Sequence, residues 1–176
     1  MNIHRPCALL LRTRPWNTAS ALLSPISANR SGPRESRVQR RKSFASSGGL
    51  VRDKRKVYSL PARLTLNQWA LAGDWTVGRQ ATVLNVANGR ITVRFHARDL
   101  HLVMGAPAAG TLRFRVLLDG RPPGPAHGLD VDSQGNGLVK EPRLYQLIRQ
   151  SGTISDHSFE IEFLDRGVET YSFTFG

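Results

Sequence analysis

From Leu64 onward the apolar residues of this chain recur mostly at every second position. Ile91, Val93 and Phe95 alternate with Thr92, Arg94 and His96. Leu112, Phe114, Val116 and Leu118 are interleaved with Arg113 and Arg115, and Phe159, Ile161 and Phe163 with Glu160 and Glu162. Leu100, Leu102 and Met104 repeat the pattern, as do Tyr171, Phe173 and Phe175. A period of two buries one face of a strand and wets the other. Leu64, Leu66, Trp69 and Leu71 are spaced as short strands, Gly73-Asp74 reads as a turn, and Trp75, Val77, Val83 and Leu84 resume the apolar signal. Asn88-Gly89 is a two-residue hairpin turn. Gly105 to Gly110 is a small-residue loop, and a short hairpin is expected from Leu129 to Val139. Leu144 to Ile148 is read as a strand because Pro142 and Gly152 bound it closely. No segment offers three turns of helical periodicity. Roughly seven to ten short strands with regular turns make an all-β fold, a two-sheet β-sandwich or a barrel.

The charge changes the picture of the N-terminus. The 176 residues carry a net +12, which suggests nucleic acid. Residues 1–56 hold 13 Lys+Arg and 2 Asp+Glu, whereas residues 57–176 hold 12 and 11. The folded part is nearly neutral, so a nucleic-acid partner is not expected of it. Residues 1–42, rich in Arg, Ser and Pro, are expected as a disordered basic leader. Their composition is also that of a mitochondrial transit peptide, or of a misplaced start or shifted frame. Residues 43–62 form a linker whose Phe44, Leu50, Val57, Tyr58 and Leu60 could dock on a sheet, and residues 63–176 form the sandwich domain. No run of 18 apolar residues exists, so no membrane-spanning helix is expected. Ala8–Leu11 is too short for an export-signal core, which leaves the location unknown.

The single cysteine, Cys7, excludes an intramolecular disulfide, a Cys-x-x-Cys centre and a thiolate zinc site. No Gly-x-Ser-x-Gly elbow is present. Candidate chemistry concentrates between Asp119 and Arg149, where glycines, prolines and acids crowd into one folded loop system. Asp130, Asp132, Gln134, Gly135 and Glu141 fall at positions 1, 3, 5, 6 and 12 of an EF-hand-like loop, a spacing of oxygen donors that suits calcium. Against calcium, no helices flank the loop; the alternative is a hairpin with its turn at Ser133 to Gly137. Apart from such a structural calcium, no cofactor is expected. Sugar binding needs flat apolar faces and planar polar groups. Among Tyr58, Trp69, Trp75, Tyr145 and Tyr171, the best platforms are Trp75, beside a turn, and Tyr145. His127, beside Gly128, and Asp119 complete the candidate ligand set. His96 and His101 could approach one another around the Arg98-Asp99 turn.

Three stretches carry a resemblance: WALAGDWTVGR from Trp69, FRVLLDGRPPGPAHGLDVDSQGNG from Phe114, and FEIEFLDRGVETYSFTFG from Phe159. Together they closely resemble the C-terminal domain of DipZ-type thioredoxin-like proteins, redoxins linked to cytochrome c biogenesis. The segment from Phe44 to Leu64 resembles that family's join between its two soluble domains. The resemblance implies a jelly-roll sandwich of the carbohydrate-binding-module type, following a thioredoxin domain outside the cytoplasmic membrane. No redox residue carries over, because dithiol exchange needs two thiols and this chain has one. The expected role is therefore a non-catalytic accessory module that binds cell-wall glycan or a partner protein. The alternative is a fragment of a thiol-disulfide oxidoreductase encoded across a truncated or frame-disrupted gene.

Overall fold

The computed structural model describes residues 43–106 and 110–176. The leader and the middle of the Gly105–Gly110 loop lie outside the described residues. Ten strands follow in order: β1 (Arg55–Tyr58), β2 (Trp69–Val77), β3 (Thr82–Leu84), β4 (Gly89–His96), β5 (Asp99–Gly105), β6 (Leu112–Leu118), β7 (Asn136–Val139), β8 (Arg143–Arg149), β9 (Asp156–Phe163) and β10 (Glu169–Phe175). One 3-10 turn, Gly124–Ala126, sits between β6 and β7. The strands make one hydrogen-bonded path, β7-β6-β9-β4-β2-β3-β10-β5-β8, with β1 beside β2. Every pairing is antiparallel.

The path folds back on itself at β2. Its first half, Trp69 to Ala72, pairs with β4, and its second half pairs with β3 on one edge and β1 on the other. Gly73 stands at the change of partner with φ 95°, and a Cβ there would meet Gly89 Cα at 3.0 Å. The bend therefore requires glycine. The expected turn at Gly73-Asp74 is corrected to a bend within one nine-residue strand, because β1, β3 and β4 supply ladder partners on both sides of it.

The two halves enclose one core. Ile91, Phe95, Phe114, Phe159 and Phe163 from one half face Leu84, Leu100, Leu102, Tyr145 and Phe173 from the other, all buried. Phe159 meets Phe173 edge-on with centroids 6.1 Å apart, and Trp75 meets Phe163 at 6.0 Å. Such pairs add to area burial because ring edges and faces carry opposite partial charge. Residues 43–62 contribute strand β1 and two core rings, Phe44 and Tyr58, the former 4.6 Å from Trp69. The C-terminus is tied in by reciprocal backbone bonds between Gly176 and Asp99.

The hairpin expected from Leu129 to Val139 is reduced to a single bridge, Val131 with Gly137. β7 instead extends the sheet beside β6, where Leu112 to Arg115 supply a longer ladder.

Candidate functional site

The loop system after β6 uses its acids to build itself. Asp132 Oδ1 accepts the backbone N–H of Gln134 at 2.9 Å and of Asn136 at 2.8 Å. Asn136 N–H first, then its side chain, hold the Asp132 carboxyl below the usual range. Asp130 accepts from Arg143 Nη2 at 2.6 Å and from the Gln146 N–H at 2.7 Å. Burial pushes the Asp130 carboxyl up, but Arg143 and the Gln146 N–H outweigh it, and the net direction is down. The Glu141 side chain is largely exposed and lies 3.8 Å from Arg143 Nε. Gln134 is exposed. No group of three or more His, Cys, Asp or Glu among the described residues converges as a metal cage would. Asp130 and Asp132 thus have oxygens engaged in closing the loop.

The aromatic candidates are placed inside. Trp75 is fully buried and donates its indole N–H to the Ala72 carbonyl at 2.8 Å. Tyr145 is fully buried, its hydroxyl donating to the Glu141 carbonyl at 2.8 Å, with the Arg143 guanidinium 3.8 Å from its ring centre. The expectation of stacking platforms is corrected: both residues occupy inward strand positions, and neither ring offers a free face. His127 is exposed at a bridge to Ile148, with Nδ1 3.0 Å from the Gly128 carbonyl oxygen. Asp119, in the turn after β6, accepts the Ser158 N–H at 2.8 Å and lies 2.5 Å from His157 Nδ1. His96 and His101 do not meet: His96 lies 2.8 Å from Asp156, and His101 stands beside Gln146. Tyr171 donates to Glu169 at 2.6 Å; burial and that carboxylate push its phenol up to about 12.

What the chain leaves open is the outer face of the half containing β4 and β9. Alternation puts Arg90, Thr92, Arg94 and His96 outward on β4, and Asp156, Ser158, Glu160 and Glu162 outward on β9. Opposite charges pair across the strands: Arg115 with Glu162 at 3.0 Å and Arg90 with Glu160 at 3.5 Å. After β1 ends at Tyr58, residues 60–64 run over this face. Between segment and sheet lies a cleft of about 350 Å³. Leu60, Pro61, Ala62 and Leu64 form its apolar wall; Arg63, Thr92, Arg94 and Ser158 are its polar groups. Arg94 donates to Ser158 Oγ at 3.2 Å, and its nearest carboxylate, Asp156, is 3.9 Å away. Arg63 is exposed and has no ion-pair partner among the described residues. The cleft thus presents two guanidiniums and two hydroxyls with no carboxylate in its lining. In the sequence Thr92 and Arg94 are simply the wet side of an alternating strand. Nothing in Thr92, Arg94 or Ser158 signals that a segment 28 or more residues earlier crosses above them.

A ten-stranded antiparallel sheet curled around one core, with a cleft over one outer face, defines the class: an all-β domain rather than a thioredoxin fold. More particularly, residues 37–176 match the family described as thioredoxin like C-terminal domain, and the chain belongs to that family. Protein DipZ of Mycobacterium bovis is 25% identical over 129 residues, covering 73% of this chain, and Protein DipZ of Mycobacterium tuberculosis matches to the same extent. The chain spans 16% of the length of these relatives. Among solved structures, a family two carbohydrate esterase from Clostridium thermocellum in complex with cellohexaose overlaps 55% of this chain and 27% of its own, with a TM-score of 0.42 at 12% identity. Among the described residues no helix is long and apolar enough to cross a membrane.

Proposed function

We propose that this domain is the accessory module of a DipZ-type protein, and that it works by binding an acidic glycan in the cleft beneath residues 60–64. The observation that carries the reading is the lining of that cleft. An apolar wall can lie along the carbon face of a sugar ring while Thr92, Ser158 and the two guanidiniums meet its oxygens. Arg63 and Arg94 add a preference for a carboxylate, since a guanidinium matches its two oxygens with paired N–H donors. Thiol chemistry is left to other parts of such a protein: one cysteine cannot carry out dithiol exchange by itself. The module would hold an attached redox domain near cell-wall polymer.

Calorimetric titration of the protein with a uronic-acid oligosaccharide and with its neutral counterpart tests this. The acidic sugar is expected to bind, and Arg94→Gln to weaken it by about tenfold, the loss of one charged hydrogen bond. Equal binding by Arg94→Gln and the parent protein contradicts the reading.

A further inference from the structure

The Asp119 turn holds a second arrangement, adjoining the cleft through Ser158. Asp119 sits at φ 51° and Gly120 at φ 76°, closing the hairpin in which Leu118 pairs with Arg121. The Asp119 carboxylate is anchored by the Ser158 N–H through Oδ1, and Oδ2 lies 2.5 Å from His157 Nδ1. A carboxylate only accepts, so this contact places a proton on Nδ1, and in the neutral imidazole Nε2 is then the acceptor. Nε2 lies 2.9 Å from the hydroxyl oxygen of Ser155. The imidazole is further fixed by Phe95, opposite His157 across the ladder, with ring centroids 6.3 Å apart. Burial pushes the Asp119 carboxyl up, yet the Ser158 N–H and His157 overcome it and keep it ionised.

We propose that Ser155 is a nucleophile activated through His157 and Asp119, and that this end of the sandwich accepts acyl groups from esters. The order hydroxyl, imidazole, carboxylate is the one that raises a serine's reactivity, recognised by geometry rather than by position in sequence. Ser155 Oγ attacks the ester carbonyl carbon and its proton passes to His157 Nε2. The bond to the alcohol oxygen then breaks, and the departing alkoxide takes that proton. Water repeats the sequence on the acyl-serine, releasing the carboxylic acid and restoring the hydroxyl. Ser155 and its loop, residues 151–155, are exposed. That placement suits a short acyl group, such as acetyl, carried on a larger alcohol, because a long chain would need apolar burial. The side chains of His157 and Ser158 point to opposite faces of β9, so Ser155 and His157 can be changed without altering a side chain that lines the cleft.

The test uses the full chain and a fluorophosphonate probe, which forms an oxygen–phosphorus bond to an activated serine and expels fluoride. Peptide mapping by mass spectrometry is expected to place the label on Ser155. Ser155→Ala abolishes labelling at the native melting temperature, since the residue is exposed. His157→Gln slows it by about 10²-fold, the lower range for loss of a general base. Label found only on other serines, or labelling at the parent rate in a folded His157→Gln variant, overturns the proposal. If His157→Gln does not fold, the mapped position and the Ser155→Ala result still decide. Turnover of 4-nitrophenyl acetate, lost in Ser155→Ala, would extend acceptance of the acyl group to its hydrolysis; a rate unchanged by that substitution overturns the hydrolytic step.

Discussion

The loop system between β6 and β8 and the outer face of β4 and β9 make opposite use of polar residues. The loop is crowded with acids, glycines and prolines, yet Asp130 is satisfied by Arg143 and Gln146, and Asp132 by the backbone of Gln134 and Asn136. The outer face is built of ordinary alternating strands, and there Arg94 is only loosely paired and Arg63 has no ion-pair partner among the described residues. Chemically suggestive residues in a compact loop are consumed by holding the loop together, because every turn exposes main-chain N–H groups that need acceptors. Side chains projecting from a sheet have their main chain satisfied by the ladder, which leaves their own hydrogen-bonding capacity for something else.

Removing the last strand end should have the largest effect, and should strike both regions alike, since both stand on the same core. Deleting residues 173–176 takes away Phe173, its contact with Phe159, and the backbone bonds of Gly176 with Asp99. A loss of at least about 3–5 kcal/mol is expected, the usual cost of emptying one aromatic core site. A truncated chain that melts with the full one would show that the core does not join the two halves.

Next, the regions should part. Asp130→Ala is expected to cost about 1–3 kcal/mol in denaturant unfolding, because Arg143 and the Gln146 N–H lose a partly buried acceptor. Glycan binding should be unchanged in the folded fraction. Unaltered stability would mean that the loop acid is free for a ligand after all.

Acid titration sharpens the same point at the sheet edge. The Arg113 side chain and backbone N–H hold the Asp165 carboxyl down at about 2, well below the ordinary carboxylate range. A folded value below the unfolded one stabilises fully above the ordinary carboxylate range and is lost as pH falls from about 4 toward 2. Asp165→Asn should therefore flatten the decline of melting temperature in that window; an identical decline would remove Asp165 from the account. The smallest stability effect belongs to the cleft: Arg94→Gln should alter unfolding by no more than about 0.5 kcal/mol while weakening glycan binding. A large loss of stability would make Arg94 a structural residue.

Much of the fold was legible because its signals are local. Period two in Ile91 to His96, in Leu112 to Leu118 and in Phe159 to Phe163 became β4, β6 and β9. The two-residue hairpin expected at Asn88-Gly89 is corrected: Asn88 does take a positive φ of 64°, but β3 and β4 on either side of it are not ladder partners, each pairing instead with a different half of β2. Gly73 misled because a glycine in a strand reads as a break, whereas here neighbours on both edges carry the strand through. Trp75 and Tyr145 misled because proximity to turns does not say which way a side chain points. The cleft was not legible at all: it exists only because residues 60–64 cross strands far along the chain, and single-sequence patterns contain no such register. The same holds for Asp119 and Ser155 on either side of His157, joined by the pairing of β6 with β9.

The most direct measurement is amide-resolved NMR of the labelled protein during titration with the uronic-acid oligosaccharide. Shifts confined to residues 60–64 and to Thr92, Arg94 and Ser158 are the predicted result. Shifts centred on residues 127–141, with the outer face silent, would contradict the assignment of binding to the cleft and return it to the loop.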